Sequence, residues 1–227
     1  MLITGTRRGI GRYLAEQFLN NGAQVEGCSR TPSDWTAEGY RHHVTDVADE
    51  DRVREMLGDI RHRHGRLDVA VNNAGIASMN LSLLTPAATV NRIMATNFLG
   101  TFLVSRESAK LMKKHNYGRI INIISAAASL RIPGEAVYAS SKSAVETFTR
   151  VLAVEVAAFG ITCNAVSPGI MRTSLTSGVP ETAMNALIAR LALKRPATFA
   201  DVLNAVEFFA SPRSSYVTGQ VLHLGGV

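Results

Sequence analysis

From end to end the chain alternates short apolar runs with helix-length amphipathic segments, a pattern that few folds accept. Residues 2–4, 23–28, 43–45, 67–72, 119–124, 161–166 and 220–224 read as strands. Between them, 11–20, 51–63, 90–114, 138–159 and 199–210 carry apolar residues at helical spacing, as Val53, Met56, Leu57 and Ile60 do. Strands joined through helices pair in parallel and need helices on both faces of the sheet. The expected fold is therefore α/β: a doubly wound Rossmann fold, one domain over residues 1–227, with a mostly parallel seven-stranded sheet. A length of 227 residues with 46% hydrophobic content suits one such core, and no composition shift marks a second domain. Residues 169–196 break the pattern with Thr, Ser, Gly and Pro around one weak helix, 181–193. They read as a substrate lid within the domain.

Composition narrows the function classes. No apolar run approaches the roughly 20 residues of a membrane helix. Met1-Leu2-Ile3 runs into a glycine-rich turn without a basic leader, so no secretory signal is expected. Cys28 and Cys163 lie in apolar runs and read as buried thiols of a reducing, cytoplasmic setting. The net charge of +6 comes from basic residues scattered over helices, not gathered with aromatics. That suits an anionic ligand and argues against a nucleic-acid partner. No metal site is expected.

The turn Thr4-Gly5-Thr6-Arg7-Arg8-Gly9-Ile10-Gly11 joins the first strand to the first helix. Glycines there let backbone approach a pyrophosphate, and the helix start offers free amides and a positive dipole end. Tyr138 and Lys142 stand four residues apart on a predicted helix and so share a face. A lysine cation beside a phenol stabilises the phenolate and lowers its pKa from about 10, fitting it for proton transfer to a carbonyl oxygen. Ser125 closes the fifth strand, at the sheet edge where ligands bind, and can polarise the same oxygen.

These features resemble the short-chain dehydrogenase/reductase family. The turn matches its Thr-Gly-x3-Gly-x-Gly, and Asn72-Asn73-Ala74-Gly75 ends the fourth strand. Tyr138-Ala139-Ser140-Ser141-Lys142 matches its Tyr-x3-Lys, and Pro168-Gly169 follows the sixth strand. The resemblance covers the whole chain and is nearest in pattern to the 3-oxoacyl-carrier-protein reductases. It implies an enzyme exchanging hydride between a nicotinamide cofactor and a ketone or secondary alcohol, with Ser125, Tyr138, Lys142 and Asn97 as the catalytic set. Asn97 would hold a water leading from Lys142 to solvent, or is a buried amide bonded to helix backbone. Lys142 would also bond the nicotinamide ribose.

For the nucleotide, the resemblance points to Gly5, Arg7, Arg8, Gly9, Ile10 and Gly11 at the turn, and to Asn73, Ala74 and Gly75 after the fourth strand. Pro168, Gly169, Ile170 and Thr173 would meet the nicotinamide, though Thr173 could instead cap the lid helix. Asp46 and Val47 match an adenine-contacting pair, with a helix cap as the other reading of Asp46. In the family's NAD enzymes an acid falls at Ser29; here it is absent, Glu26 lies mid-strand, and Arg30 follows as in NADP members. Two arginines, Arg8 and Arg30, suit a 2′-phosphate, so NADP(H) is expected over NAD(H).

The chain departs from the family in places. The reductases' carrier-docking basic positions fall on Asn116 and Phe159, with Lys113, Lys114 and Arg119 out of register. A free ketone thus stands beside an acyl thioester as substrate. Ala126-Ala127-Ala128, Leu130 and Ile132 suggest an apolar pocket, with Glu135 and Arg131 read as solvent-facing charges or as contacts to polar substrate groups. Resemblance implies a homotetramer or homodimer through 90–114 and 138–159. The alternatives are an NAD-dependent alcohol or sugar dehydrogenase, and a dinucleotide sensor without chemistry.

Overall fold

The computed structural model describes residues 1–173 and 175–226. Its seven strands are β1 (Leu2–Thr4), β2 (Val25–Ser29), β3 (Tyr40–Val44), β4 (Val69–Asn72), β5 (Gly118–Ile123), β6 (Ile161–Ser167) and β7 (Val221–His223). They form one sheet in the order β3-β2-β1-β4-β5-β6-β7, with every pairing parallel. The expected Rossmann architecture is met, with the sheet wholly parallel.

Successive strand residues point to opposite faces, so a strand buried on both sides reads as an unbroken apolar run. Leu2 and Ile120 enter one core, shared with Val53 and Ile60 of α2 (Glu50–His64) and Leu103 of the fourth helix. Their neighbours Ile3 and Ile121 enter the other, with Leu14 of α1 (Gly9–Asn20) and Val206 and Phe209 of the last helix. Helix ends follow local chemistry. Asp49 caps α2 by accepting from Asp51 N and Arg52 N, and Gly65 ends it in the left-handed region after four basic residues.

The helix expected over 90–114 is continuous but not uniform. It runs as α3 (Ala87–Met94), a π-helical turn (Ala95–Leu99) and α4 (Gly100–Lys113). π turns concentrate at functional sites, and this one carries Asn97. After β5 come the short α5 (Ala127–Leu130) and the long α6 (Ala136–Val156). The irregular stretch contains α7 (Glu181–Ile188), shorter than expected, and α8 (Phe199–Ala210) precedes β7. Met184, Ile188 and Leu191 pack on Ala126, Leu130 and Ile170, so α7 and the turn after it lie against α5 and the segment leaving β6. The sheet order reverses between β1 and β4, and ligands of such sheets bind outside the carboxyl ends there.

Candidate active site

At that reversal the phosphate turn folds back over β2. Gly5 N and Thr6 N both donate to Cys28 O, at 2.8 and 3.2 Å. Gly5 has φ +77°, and a Cβ on Gly11 would come within 2.4 Å of Gly5 O. Gly5 thus supplies the bend, while Gly11 lets the helix close onto the strand. Arg8 occupies the N-cap of α1 and makes no side-chain cap bond, so no side chain covers the first amides. Thr4 Oγ1 accepts from Asn73 N and Ala74 N, at 3.0 and 2.9 Å, fixing the facing wall.

A cavity of about 570 Å3 runs from this turn to the start of α6. Of the catalytic and cofactor residues expected from sequence, all but Gly11 and Asn97 line it; of the expected apolar wall, Ala126, Ala127 and Ile132 line it and Ala128 and Leu130 do not. Arg7, Arg8, Ser29 and Arg30 stand at one end, with Asp46 and Val47 beside them. Ser125, Tyr138, Lys142 and 168–170 stand towards the other. Among the described residues, Arg7, Arg8 and Arg30 form no ion pair, whereas Arg12, Arg52, Arg54 and Arg106 are all paired. The cradle, the uncapped helix start and the unpaired arginines fit a dinucleotide phosphate.

Two open readings resolve. Asp46 is no helix cap, since Asp49 has that position; its Oδ1 accepts from Ala48 N at 3.0 Å. Thr173 does not cap α7, which begins behind Pro180. Glu26 is excluded from the nucleotide. It is 3% exposed on the opposite face of β2 from Ser29, held by His43 Nε2 at 2.6 Å, His64 Nε2 at 2.7 Å and Arg63 Nη1 at 2.8 Å. These partners hold its carboxyl down at about 2 against the cost of burial.

At the catalytic end one expectation needs correction. The phenol of Tyr138 is not lowered by Lys142. Burial pushes it above its ordinary value; the Ser125 hydroxyl pulls it down and the Glu135 carboxylate pushes it up. Lys142 is itself desolvated, which brings its ammonium down to about 8. Its Nζ donates to Ile123 O at 2.8 Å. Ser125 Oγ accepts from Ala127 N at 3.1 Å, which fixes the hydroxyl near the phenol.

Asn97 is fully buried. Its Nδ2 donates to Ile76 O and Ser141 Oγ, each at 2.9 Å, and its Oδ1 accepts from Ile76 N at 2.9 Å. It thus joins the π turn to the β4 loop and α6 by side chain, not through its own helix. A Cβ on Gly75 would touch both Asn97 Oδ1 and Lys142 Nζ, at 3.3 and 3.4 Å, so the two flank one point.

The two loop charges separate. Arg131 is exposed, with φ 50°. Glu135 lines the cavity; it holds the N-cap of α6 without making a side-chain cap bond, and burial alone raises its carboxyl. The sequence reading missed Thr6, Tyr40 and His42, which form a hydrogen-bonded chain leading to Ser29. The glycine at position 27, mid-strand, was its one available signal.

The chain resembles known proteins over nearly its whole length. The family described as Enoyl-(Acyl carrier protein) reductase matches residues 5–226. The chain belongs to this short-chain dehydrogenase/reductase family and is an oxidoreductase acting on carbonyl and alcohol carbons. It is 34% identical to the 3-oxoacyl-[acyl-carrier-protein] reductase FabG of Escherichia coli K12, over 99% of this chain and 95% of that one. With FabG of Vibrio cholerae the identity is 33% over the same shares. Among solved structures, ElxO with NADP bound superposes with a TM-score of 0.89 at 34% identity, covering 98% and 95% of the two chains. A gluconate dehydrogenase described as putative, from Agrobacterium tumefaciens, gives 0.92 at 29%, covering 99% and 93%.

Proposed function

We propose that this protein is an NADPH-dependent reductase of small free ketones, with Tyr138 as the proton donor. The observation that carries the reading is one cleft with unpaired arginines at its nucleotide end and Ser125, Tyr138 and Lys142 at the other. NADPH, when bound, supplies the hydride. The chain supplies everything else. Arg8 and Arg30, with Ser29 between strand and loop, would hold the 2′-phosphate. The turn and the start of α1 take the pyrophosphate. Asp46 and Val47 would flank the adenine, and Ile170 and Thr173 the carboxamide.

Tyr138 gives its proton to the carbonyl oxygen. A phenol held above its ordinary value keeps that proton until the oxygen becomes basic, and Ser125 hydrogen-bonds the same oxygen. Lys142 would donate to the nicotinamide ribose and return a proton to Tyr138, drawing its own from solvent through a water held at Asn97. The segment 169–196 closes over the substrate. Relatives with NADP or NADPH in their structures support the cofactor choice.

Substrate class follows from the pocket wall. Met79, Ile132, Met184 and Leu187 make it apolar, and Glu135 adds one acid with no ion-pair partner among the described residues. An uncompensated carboxylate there favours a ketone bearing a hydroxyl or ammonium and disfavours an anionic substrate.

A second reading, an acyl thioester on a carrier, has one observation in its favour. Lys113 Nζ lies 4.1 Å over the Phe159 ring, which brings a cation to one of the two carrier-docking positions. That patch is at the amino ends of β5 and β6, opposite the cleft, so it serves only the cleft of a neighbouring subunit. Arg119 does not contribute, being 2% exposed and bonded to backbone carbonyls. Assembly through the exposed Val151 and Val154 of α6 would provide the neighbour. We place the protein in the cytoplasm, in keeping with its two buried free thiols. NADPH consumption across hydroxy ketones, cyclic ketones, sugars and acyl thioesters tests these readings. Turnover with hydroxy ketones is expected, and turnover with carrier thioesters alone would favour the second.

A further inference from the structure

Ser29 is held by a directional chain of hydrogen bonds whose polarity can be worked out. Its Oγ lies 2.6 Å from Thr31 O. A carbonyl only accepts, so the single hydroxyl hydrogen of Ser29 goes there. His42 Nε2 lies 3.0 Å from the same Oγ and 3.3 Å from Thr31 O. With no hydrogen left on Ser29 to give, Nε2 must carry one. Burial lowers the His42 pKa, so the ring is neutral and Nδ1 is bare. Tyr40 Oη, 2.8 Å from Nδ1, donates to it. Thr6 Oγ1, buried and 2.8 Å from Tyr40 Oη, donates to that oxygen. The sequence of donors is thus Thr6, Tyr40, His42, Ser29, running from the phosphate turn to the end of β2.

The strands are built to admit this chain. Gly27 pairs with His42 across β2 and β3, and a Cβ there would come within 2.4 Å of both Thr6 Oγ1 and Tyr40 Oη. Alternation puts Tyr40, His42, Gly27 and Ser29 on one face of the sheet, and Glu26 with His43 on the other. Trp35 stacks on Tyr40 at 4.1 Å and shields the outer side.

We propose that His42 is the positioning residue for recognition of the cofactor's 2′-phosphate. Ser29 can reach a phosphate oxygen as a donor only by turning its hydrogen away from Thr31 O. His42 Nε2–H already faces both Ser29 Oγ and Thr31 O, so it takes over that carbonyl as Ser29 turns. Without His42 the turn would strand a carbonyl. A cofactor lacking the 2′-phosphate leaves Ser29 where it is and gains nothing from His42. The inference rests on the reading of NADPH as cofactor.

The tests are dissociation constants for NADPH and NADH by fluorescence titration, with 15N spectra of the histidines. His42→Phe should weaken NADPH about tenfold, the size of one hydrogen bond to a charged group, and leave NADH within about twofold. His42→Gln, whose amide N–H can replace Nε2–H, should recover most of the loss. The spectra should give the Nε2–H tautomer for His42 in the free protein. An equal loss for both cofactors in His42→Phe, no loss for NADPH, or an Nδ1–H tautomer would each overturn the proposal. Wild-type protein that binds NADH more tightly than NADPH would instead remove the cofactor reading beneath it. If His42→Phe does not fold, the His42→Gln ratio and the wild-type tautomer decide the matter.

Discussion

The two ends of the cleft are built in opposite ways. At the nucleotide end, polar atoms sit in fixed, directional bonds: Thr4 to the β4 loop, the turn to Cys28, and Thr6 through Tyr40 and His42 to Ser29. At the substrate end the walls are apolar, come from three separated stretches of chain, and carry an acid, Glu135, with no ion-pair partner among the described residues. A ligand met by backbone and a rigid turn can be recognised from a short motif. A ligand met by a lid and a loop takes its identity from side chains that only the folded chain brings together.

The largest expected effect lies where the two ends meet. Tyr138→Phe should lower kcat by about 1000-fold, within the range for losing a general acid, with NADPH affinity unchanged by titration. Near wild-type turnover would remove the phenol from the mechanism.

Lys142→Met should lower kcat by about 100-fold, as loss of a proton-transfer group does, and should also weaken NADPH. It should nevertheless make the fold more stable at pH 7. The folded-state pKa, about 8, lies below the ordinary 10.5, so folding at neutral pH holds a charged amine in a buried site. Wild-type stability therefore rises as pH climbs from about 8 to 10.5, and the variant lacks that rise. At pH 7 the difference is about 3 kcal/mol, read from denaturant midpoints. Reductase activity that needs the ammonium should fall as pH passes about 8.

Arg30→Ala sharpens the nucleotide end. It should cost NADPH about tenfold to 30-fold in affinity, the scale of one charge-assisted contact, and NADH almost nothing. Glu135→Ala, the smallest effect, probes the other end. The ratio of kcat/KM for a hydroxy ketone over its matched plain ketone should fall about tenfold or less, the scale of one hydrogen bond. An unchanged ratio would free the substrate from that acid.

Much of the scaffold was legible because the sheet is buried on both faces: pairs such as Leu2–Ile3 and Ile120–Ile121 announce two cores at once. β3 was placed at 43–45 but spans Tyr40–Val44, since Tyr40-Arg41-His42-His43 has no apolar alternation and is ordered by its bonds. The π turn at Ala95–Leu99 leaves no local signature; it depends on Asn97 reaching Ile76 and Ser141 from other segments. Spacing put Tyr138 and Lys142 on one helix face and the strand end put Ser125 near them, while Asn97 came only from the resemblance; the direction of the Tyr138 pKa could not be read. It turns on burial and on Glu135, and spacing encodes neither. Gly27 marked the hydrogen-bonded chain beside it without revealing what the missing side chain made room for.

Cys28 and Cys163 are both sealed inside the sheet, and burial drives both thiols up, Cys28 to about 12. Neither will present a thiolate to an alkylating reagent near neutral pH. A single cysteine introduced on the exposed side of 169–196 would then be the one site that takes a maleimide dye, so whether that segment moves can be followed optically without first removing the native sulfurs.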